Sequence, residues 1–172
     1  MKIENCELKI FVMLLKIEKY PSKILLKPNQ KVEVIDEKIK KLIFDMEETM
    51  HAAEGCGLAA PQVGINFRLA VVDPGDRLIT LINPEIIKTS KKSEIMGEGC
   101  LSLPGIEVKV KRFWQIEVKT LNIEGKEIKF KTEGLLARII QHEIDHLNGK
   151  LILDKANFFT RRKIIKKLTN KI

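Results

Sequence analysis

Two segments of the chain carry apolar residues at the three- and four-residue spacing of an α-helix. The first, about residues 36–53, begins after Asp36, a residue type that favours the N-cap position. The second, about residues 133–148, is apolar around most of its circumference and is followed by Gly149 as its stop. We therefore predict an amphipathic helix near the N-terminus and a central, buried helix near the C-terminus.

Between the two helices the pattern changes to short runs rich in branched residues, which are typical of β-strands. Pro74-Gly75 and Asn83-Pro84 interrupt these runs and predict turns between separate strands. The runs comprise residues 68–73, 78–83 and 85–90.

Further along, residues 114–120 and 127–132 alternate apolar with polar positions around Glu124-Gly125, which predicts a hairpin with one buried face. Together these elements predict an α+β fold. Its mixed or antiparallel sheets surround a central buried helix, with an N-terminal amphipathic helix and a C-terminal helix beside them.

The length of 172 residues predicts a single domain over residues 1–172, with an N-terminal extension at 1–12. The net charge of +8 is concentrated in a basic C-terminal helix at residues 155–172. This segment contains no acidic residue and seven basic ones: Lys155, Arg161, Arg162, Lys163, Lys166, Lys167 and Lys171. The rest of the chain is nearly neutral, so its main site is predicted to bind a small or peptide-like ligand and no DNA.

The longest uncharged apolar run, residues 10–15, falls far short of a membrane span, and Glu4 and Glu7 occupy the place of a basic signal-peptide region. These features predict a protein of a reducing compartment with no membrane partner. The cysteines are odd in number and not closely paired, which argues against a disulfide framework: Cys6, Cys56 and Cys100.

The predicted buried helix contains the sequence QHEIDH at residues 141–146. His142 and His146 are four positions apart and share one helix face, where two imidazoles can bind one metal ion beside Glu143. Burying three such groups together costs several kcal/mol unless something organises them. The pattern therefore predicts a metal site suited to hydrolysis.

A catalytic site of this kind needs a third protein ligand and an open position. No glutamate follows Glu143 and no histidine follows His146, so the ligand must come from upstream. Cys100 is the best candidate, because a thiolate binds borderline and soft ions and the flanking Gly99 permits close approach. Both zinc and ferrous iron suit such a site.

The segment GCGLAAPQVG, residues 55–64, resembles a dinucleotide fingerprint only superficially, since a helix precedes it and Pro61 follows almost at once. A better interpretation is a bare backbone edge that pairs with an extended peptide. The amide of Gln62 could then donate to a developing oxyanion.

Three segments resemble the signature motifs of peptide deformylase in their order and approximate spacing. They read GCGLAAPQ at residues 55–62, EGCLS at 98–102 and QHEIDHL at 141–147. The resemblance extends from about residue 13 to residue 154. It implies an α+β fold around the metal-bearing helix and removal of the N-formyl group from nascent chains that begin with formyl-methionine.

The resemblance also implies the roles of individual residues. One divalent ion, Fe²⁺ or its replacements Zn²⁺, Ni²⁺ and Co²⁺, is held by Cys100, His142 and His146. Glu143 transfers protons, while Gln62 and the backbone N–H of Leu101 stabilise the oxyanion. The residues implied to bind substrate are Gly55, Cys56, Gly57 and Leu58 along the peptide, and Leu135 and Ile139 in the methionine pocket.

Two positions depart from the family pattern. Glu107 stands where many members have arginine, and Cys56 stands where valine or isoleucine is common. Cys56 is expected to fill a small apolar site, with an oxidation-sensitive thiol near the metal as the alternative.

The C-terminal segment has its own pattern. One side of its helix is apolar and is predicted to dock on the body, through Phe158, Ile164, Ile165, Leu168 and Ile172. The basic side is either simply solvated or a contact for ribosomal RNA near the exit tunnel.

Formylated initiation implies a bacterial cytoplasm or an organelle of bacterial origin. Two alternatives stay open: a metallopeptidase that cleaves ordinary amides, and a catalytically silent member that binds peptide or ribosome.

Overall fold

The computed structural model describes residues 13–75 and 77–169, apart from the side chain of Thr169. The predicted extension at residues 1–12, with Cys6, lies outside the described residues. These residues form three α-helices, α1 (Glu37–Ala52), α2 (Gly134–Leu147) and α3 (Phe158–Thr169). Their seven strands are β1 (Gly57–Ala59), β2 (Leu69–Val72), β3 (Ile79–Thr89), β4 (Ser93–Glu98), β5 (Val108–Phe113), β6 (Gln115–Leu121) and β7 (Glu127–Glu133).

The strands form two antiparallel sheets. Five strands pair in the order β1-β2-β3-β6-β7, and β4 pairs with β5 in a separate two-stranded sheet. The predicted hairpin is present as β6 and β7, and the α+β prediction is confirmed.

Asn83-Pro84 is not a turn between two strands, as the sequence suggested, because β3 runs through it without a break. Asn83 has a positive φ of 53°, and the pairing of β3 with β6 shifts register between Ile82 and Glu85. The Asn83 side chain also exchanges two hydrogen bonds of 2.9 Å with the backbone of Val32. The dipeptide therefore makes a bulge that bends one long strand.

The two long helices pack on opposite faces of the five-stranded sheet. In β2, Leu69 and Val71 belong to the cluster that includes α1, whereas Ala70 and Val72 belong to the cluster that includes α2. Successive side chains of a strand point to opposite faces, so this short apolar strand is buried on both sides. The sheet thereby fixes α2 and the residues that it carries.

Helices α1 and α2 begin and end within one residue of the prediction, and local signals set these ends, whereas the C-terminal helix predicted from residue 155 begins at Phe158. The Asp36 carboxylate accepts a 2.9 Å hydrogen bond from the N–H of Ile39 at the start of α1. After α2, Gly149 has a φ of 70°, and a Cβ there would lie 2.5 Å from the backbone of Lys27. Only glycine fits this stop.

Helix α3 docks on the body through its later turns. Ile164 is buried, and Leu168 packs against the same cluster of apolar residues. Phe158, which was predicted to dock as well, is 69% exposed, and Phe159 is 81% exposed. Both lie in the first turn, before the helix meets the body, and Ile172 lies outside the described residues. None of the helices in residues 13–75 and 77–169 combines the length and apolar character that crossing a bilayer requires.

Candidate metal and catalytic site

Helix α2 and the segment after β4 bring together the three residues that were predicted as metal ligands. The Sγ atom of Cys100 lies 3.3 Å from Nε2 of His146, which lies 3.2 Å from Nε2 of His142. All three donor atoms lie within 4.8 Å of one another. Cys100 and Cys56 are both free thiols, as predicted.

This donor set fits one divalent ion. Ligand atoms at about 2.0–2.3 Å from an ion occupy tetrahedral corners about 3.3–3.8 Å apart. The observed separations of 3.2 and 3.3 Å lie close to that range. One thiolate and two imidazoles leave a fourth position for water or substrate, which is the ligand count of a catalytic site.

The protonation of the two histidines differs. Burial, followed by the charges of His142 and Arg112, holds the pKa of His146 well below its ordinary value, so this imidazole is neutral. Burial also acts to lower the pKa of His142, but hydrogen bonds to Cys100 and Glu98 outweigh it and raise that pKa to about 10.

Glu98 contacts the side of the His142 ring that faces away from the Cys100–His142–His146 cluster, a role that the sequence did not reveal. Its Oε2 atom lies 3.1 Å from Nδ1 of His142, which leaves Nε2 for the ion. Arg112 forms two hydrogen bonds to the Glu98 carboxylate, and Arg138 forms another of 2.6 Å. Burial raises the pKa of Glu98, but His142 and Arg112 outweigh this effect and lower the pKa to about 2.

The Glu143 side chain is buried beside this cluster. It is 3% exposed, and its Oε2 atom has no hydrogen-bond partner in the described parts of the chain. Burial is the largest effect on its pKa, which rises to about 7. Any Cβ at Gly57 would collide with the Glu143 carboxylate, so glycine is required at that position of β1.

The Gln62 amide is held in one orientation. Its Oε1 atom accepts a 2.8 Å hydrogen bond from the N–H of Ala59. Its Nε2 atom therefore faces the metal site, 3.3 Å from Oγ of Ser102 and 3.8 Å from Sγ of Cys100.

A tight turn follows the cysteine ligand, closed by a 2.9 Å hydrogen bond from the N–H of Leu103 to the carbonyl of Cys100. The Ser102 carbonyl accepts from the N–H of Tyr20. The N–H of Leu101 has no acceptor among residues 13–75 and 77–169. Leu101 lines the cavity, so this N–H can donate to a group bound there.

A cavity of about 650 Å³ contains the site. Of the six residues predicted to contact substrate, five line it: Gly55, Cys56, Gly57, Leu135 and Ile139. Leu58 does not line it, because its side chain points into the core and is fully buried. Arg138, which the sequence reasoning did not single out, lines the same wall as Leu135 and Ile139.

The two departures from the family pattern are both exposed at this edge of the molecule. Cys56 lines the cavity, so the expectation that it fills a small apolar site is wrong. Glu107 packs over Gly97, at the outer side of β4, and does not itself line the cavity.

Comparisons with known proteins agree with the motifs. Residues 14–162 match the family described as polypeptide deformylase. The chain is 53% identical over 144 residues to a peptide deformylase of Dictyoglomus thermophilum, covering 84% of this chain and 94% of that protein. It is 48% identical over 164 residues to one from Thermodesulfovibrio yellowstonii, covering 92% and 98%. The crystal structure of a peptide deformylase from Legionella pneumophila superposes with a TM-score of 0.87 at 41% identity, covering 92% and 95%.

Proposed function

Since this chain belongs to the polypeptide deformylase family and is a metal-dependent hydrolase that removes the formyl group from nascent peptides, we propose that Cys100, His142 and His146 hold the ion at which this reaction takes place. One observation carries the proposal. Three potential metal-binding atoms lie beside a buried carboxylate whose Oε2 atom has no hydrogen-bond partner, and beside a backbone N–H that has no acceptor, within the described residues.

We propose Fe²⁺ as the native ion, with Zn²⁺, Ni²⁺ and Co²⁺ as replacements. A thiolate and two imidazoles suit all four, and the open fourth position suits a catalytic ion. The ion supplies Lewis acidity and lowers the pKa of water.

Glu143 is the proton-transfer group of the proposed reaction. A carboxyl whose pKa is raised to about 7 can both accept a proton and return it near neutral pH. Glu143 takes the proton from the attacking water and delivers it to the leaving amine. Its burial keeps bulk water from competing for that proton.

The negative charge that develops on the formyl oxygen needs donors fixed in advance. The Nε2–H of Gln62 and the N–H of Leu101 meet this need, because the first is held in one orientation and the second has no acceptor in the described residues. Such donors stabilise the transition state without reorganising during the reaction.

The substrate peptide is proposed to extend along the free edge of β1. Among the described strands, β1 pairs with β2 alone, and its other edge faces the cavity beside Gly55 and Gly57. An extended peptide can add there as a further strand. The methionine side chain then lies against Leu135 and Ile139, and the 57% exposure of Leu135 in the free protein is explained by this role.

The direct test is formate release. Anaerobically purified, iron-loaded protein is expected to release formate from a short formyl-methionyl peptide, to lose activity on chelation, and to regain it with Fe²⁺ or Ni²⁺. The matched control substrate is the acetyl-methionyl peptide of the same sequence. Cleavage of internal peptide bonds would instead support a metallopeptidase, and metal binding without any hydrolysis would support a silent peptide-binding member.

The exposed side of α3 is proposed to contact ribosomal RNA. Lys155 pairs with Asp145 and Arg161 with Asp154, whereas Arg162, Lys163 and Lys167 are exposed with no acidic partner in the described residues. The two exposed phenylalanines at the start of the helix could stack on unpaired bases. Such a contact would place the enzyme where formylated chains emerge, in a bacterial cytoplasm or in an organelle of bacterial origin.

Replacing Arg162, Lys163 and Lys167 with glutamine is expected to reduce co-sedimentation with ribosomes at low salt, because fewer phosphates are neutralised. The control replaces three exposed lysines of the body, Lys23, Lys38 and Lys131. Equal loss in both triple variants would show a general charge effect. No loss in the α3 variant would remove the ribosome contact from the proposal.

A further inference from the structure

The segment of residues 17–20, near the start of the described chain, contacts both of the loops that carry the proposed oxyanion donors. The N–H of Glu18 donates to the carbonyl of Gln62 at 2.7 Å, and the N–H of Tyr20 donates to the carbonyl of Ser102 at 3.0 Å. Between them, Nζ of Lys19 donates to the carbonyl of Leu101 at 2.6 Å. Ile17 and Lys19 also line the cavity.

We propose that Lys19 is a positioning residue that fixes the turn at Leu101 and so aims the Leu101 N–H at the formyl oxygen. The inference rests on the proposed function, since it gives a purpose to the orientation of that N–H. Nothing in the sequence motifs points to Lys19, which lies about eighty positions before the turn.

Each carbonyl group of the turn at residues 100–102 accepts a hydrogen bond. The carbonyl of Cys100 is taken by the N–H of Leu103, and the Ser102 carbonyl and hydroxyl are taken by Tyr20 and Gln62. The remaining carbonyl, that of Leu101, is taken by Lys19. With every carbonyl of the turn hydrogen-bonded, its peptide groups have little freedom to rotate.

The bond from Lys19 is the strongest candidate for controlling the turn. It is a charge-assisted bond, and such bonds are roughly twice as strong as neutral ones. It restrains the Leu101–Ser102 peptide group, which is joined through the Cα atom of Leu101 to the Cys100–Leu101 peptide group that carries the proposed donor. Without it, the Leu101 carbonyl has no other partner in the described residues, and rotation about Leu101 becomes easier.

Lys19 is well placed for this role and poorly placed for a general structural one. Its side chain is exposed, it belongs to none of the three core clusters, and Leu101 is its one side-chain partner in the described residues. Removing the ammonium group should therefore change the turn without unfolding the protein.

The experiment compares Lys19→Met with Lys16→Met, since Lys16 is an exposed lysine directly before the segment and does not line the cavity. With iron-loaded protein and a formyl-methionyl peptide, Lys19→Met should lower kcat by about 10- to 100-fold, the range for residues that act through another group. KM should change little, because the lost interaction acts mainly in the transition state. Lys19→Arg should restore most of the rate, and Lys16→Met should match the wild type.

A second measurement does not depend on turnover. In zinc-loaded protein without substrate, the amide signal of Leu101 in a ¹⁵N correlation spectrum should shift in Lys19→Met and not in Lys16→Met. An unchanged Leu101 signal would overturn the inference. So would a rise in KM with unchanged kcat, which would make Lys19 a direct peptide contact. A wild type that releases no formate would refute the proposed function, and the Leu101 signal would still decide whether Lys19 holds the turn.

Discussion

Replacing Glu143 with glutamine is expected to lower kcat for formate release by about 10²- to 10⁴-fold, the usual contribution of a positioned acid or base. Glutamine has the same shape but cannot take up and return a proton. Because Glu143 is not one of the three clustered ligands, the variant should retain one metal ion per chain. Formate release and metal content, measured on the same preparation, check both expectations.

The stability of this variant separates a chemical role from a structural one. The Glu143 carboxylate is buried and its Oε2 atom lacks a partner in the described residues, so burying it is unfavourable to folding. A neutral amide should leave the Tm unchanged or raise it. The exposed Glu124→Gln, on the β6–β7 turn, is the matched control. A variant that lost activity together with metal or stability would contradict the assignment of Glu143 to proton transfer.

The pH dependence offers an independent check of the same group. Glu143 must be unprotonated to accept a proton, so kcat/KM should fall as the pH drops below the pKa of this carboxyl in the loaded enzyme. The glutamine variant should lack that acidic limb.

Local signals made the two long helices and the cluster of Cys100, His142 and His146 predictable. The spacing of His142 and His146 fixes their shared face once α2 forms, and the apolar periodicity of α2 is strong. Cys100 could be found because no glutamate or histidine follows the helix to serve as the third ligand. The loop pattern already suggested Gln62 as an oxyanion donor, whereas the role of the Leu101 N–H came from the family resemblance alone.

The sheet was harder to predict where polar residues occupy buried positions. Every second residue of β5 is buried, namely Val108, Val110 and Arg112. Because one of these buried residues is an arginine, the sequence does not show the apolar alternation that is typical of a strand. Its partner β4 is largely exposed, with Ile95 at 63%, so neither strand was predicted. The bulge at Asn83 was missed because its stabilising partner, Val32, lies far away in sequence.

The polar groups around the proposed metal site likewise contact residues that lie far away in the sequence. Glu98 was visible within a motif, but its contacts with Arg112, Arg138 and His142 join separate elements. A single sequence shows which residue types are present, but it does not show which side chains contact one another in the fold. The same reason hides the contact between Lys19 and Leu101.

Replacing Arg112 with methionine is expected to destabilise the protein by about 3–5 kcal/mol, the usual cost of breaking a buried ion pair by removing one partner. Arg112 is 5% exposed and bonds both oxygens of Glu98, at 3.0 and 2.9 Å, while its other end bonds Asp145. Its loss leaves the buried Glu98 carboxylate with Arg138 and His142 alone. In a chain of this size the Tm should fall by about 10 °C.

The same substitution should also weaken metal binding, because Glu98 orients His142. Loss of such outer support weakens metal binding by about 10- to 100-fold, which a competition titration with a zinc chelator measures. The matched control is Lys119→Met, which breaks the solvent-exposed pair with Glu85 and should leave the stability nearly unchanged. If the two variants lost equal stability and neither lost zinc affinity, Arg138 would be sufficient to hold Glu98. The buried network would then contribute nothing through Arg112 to the geometry of the site.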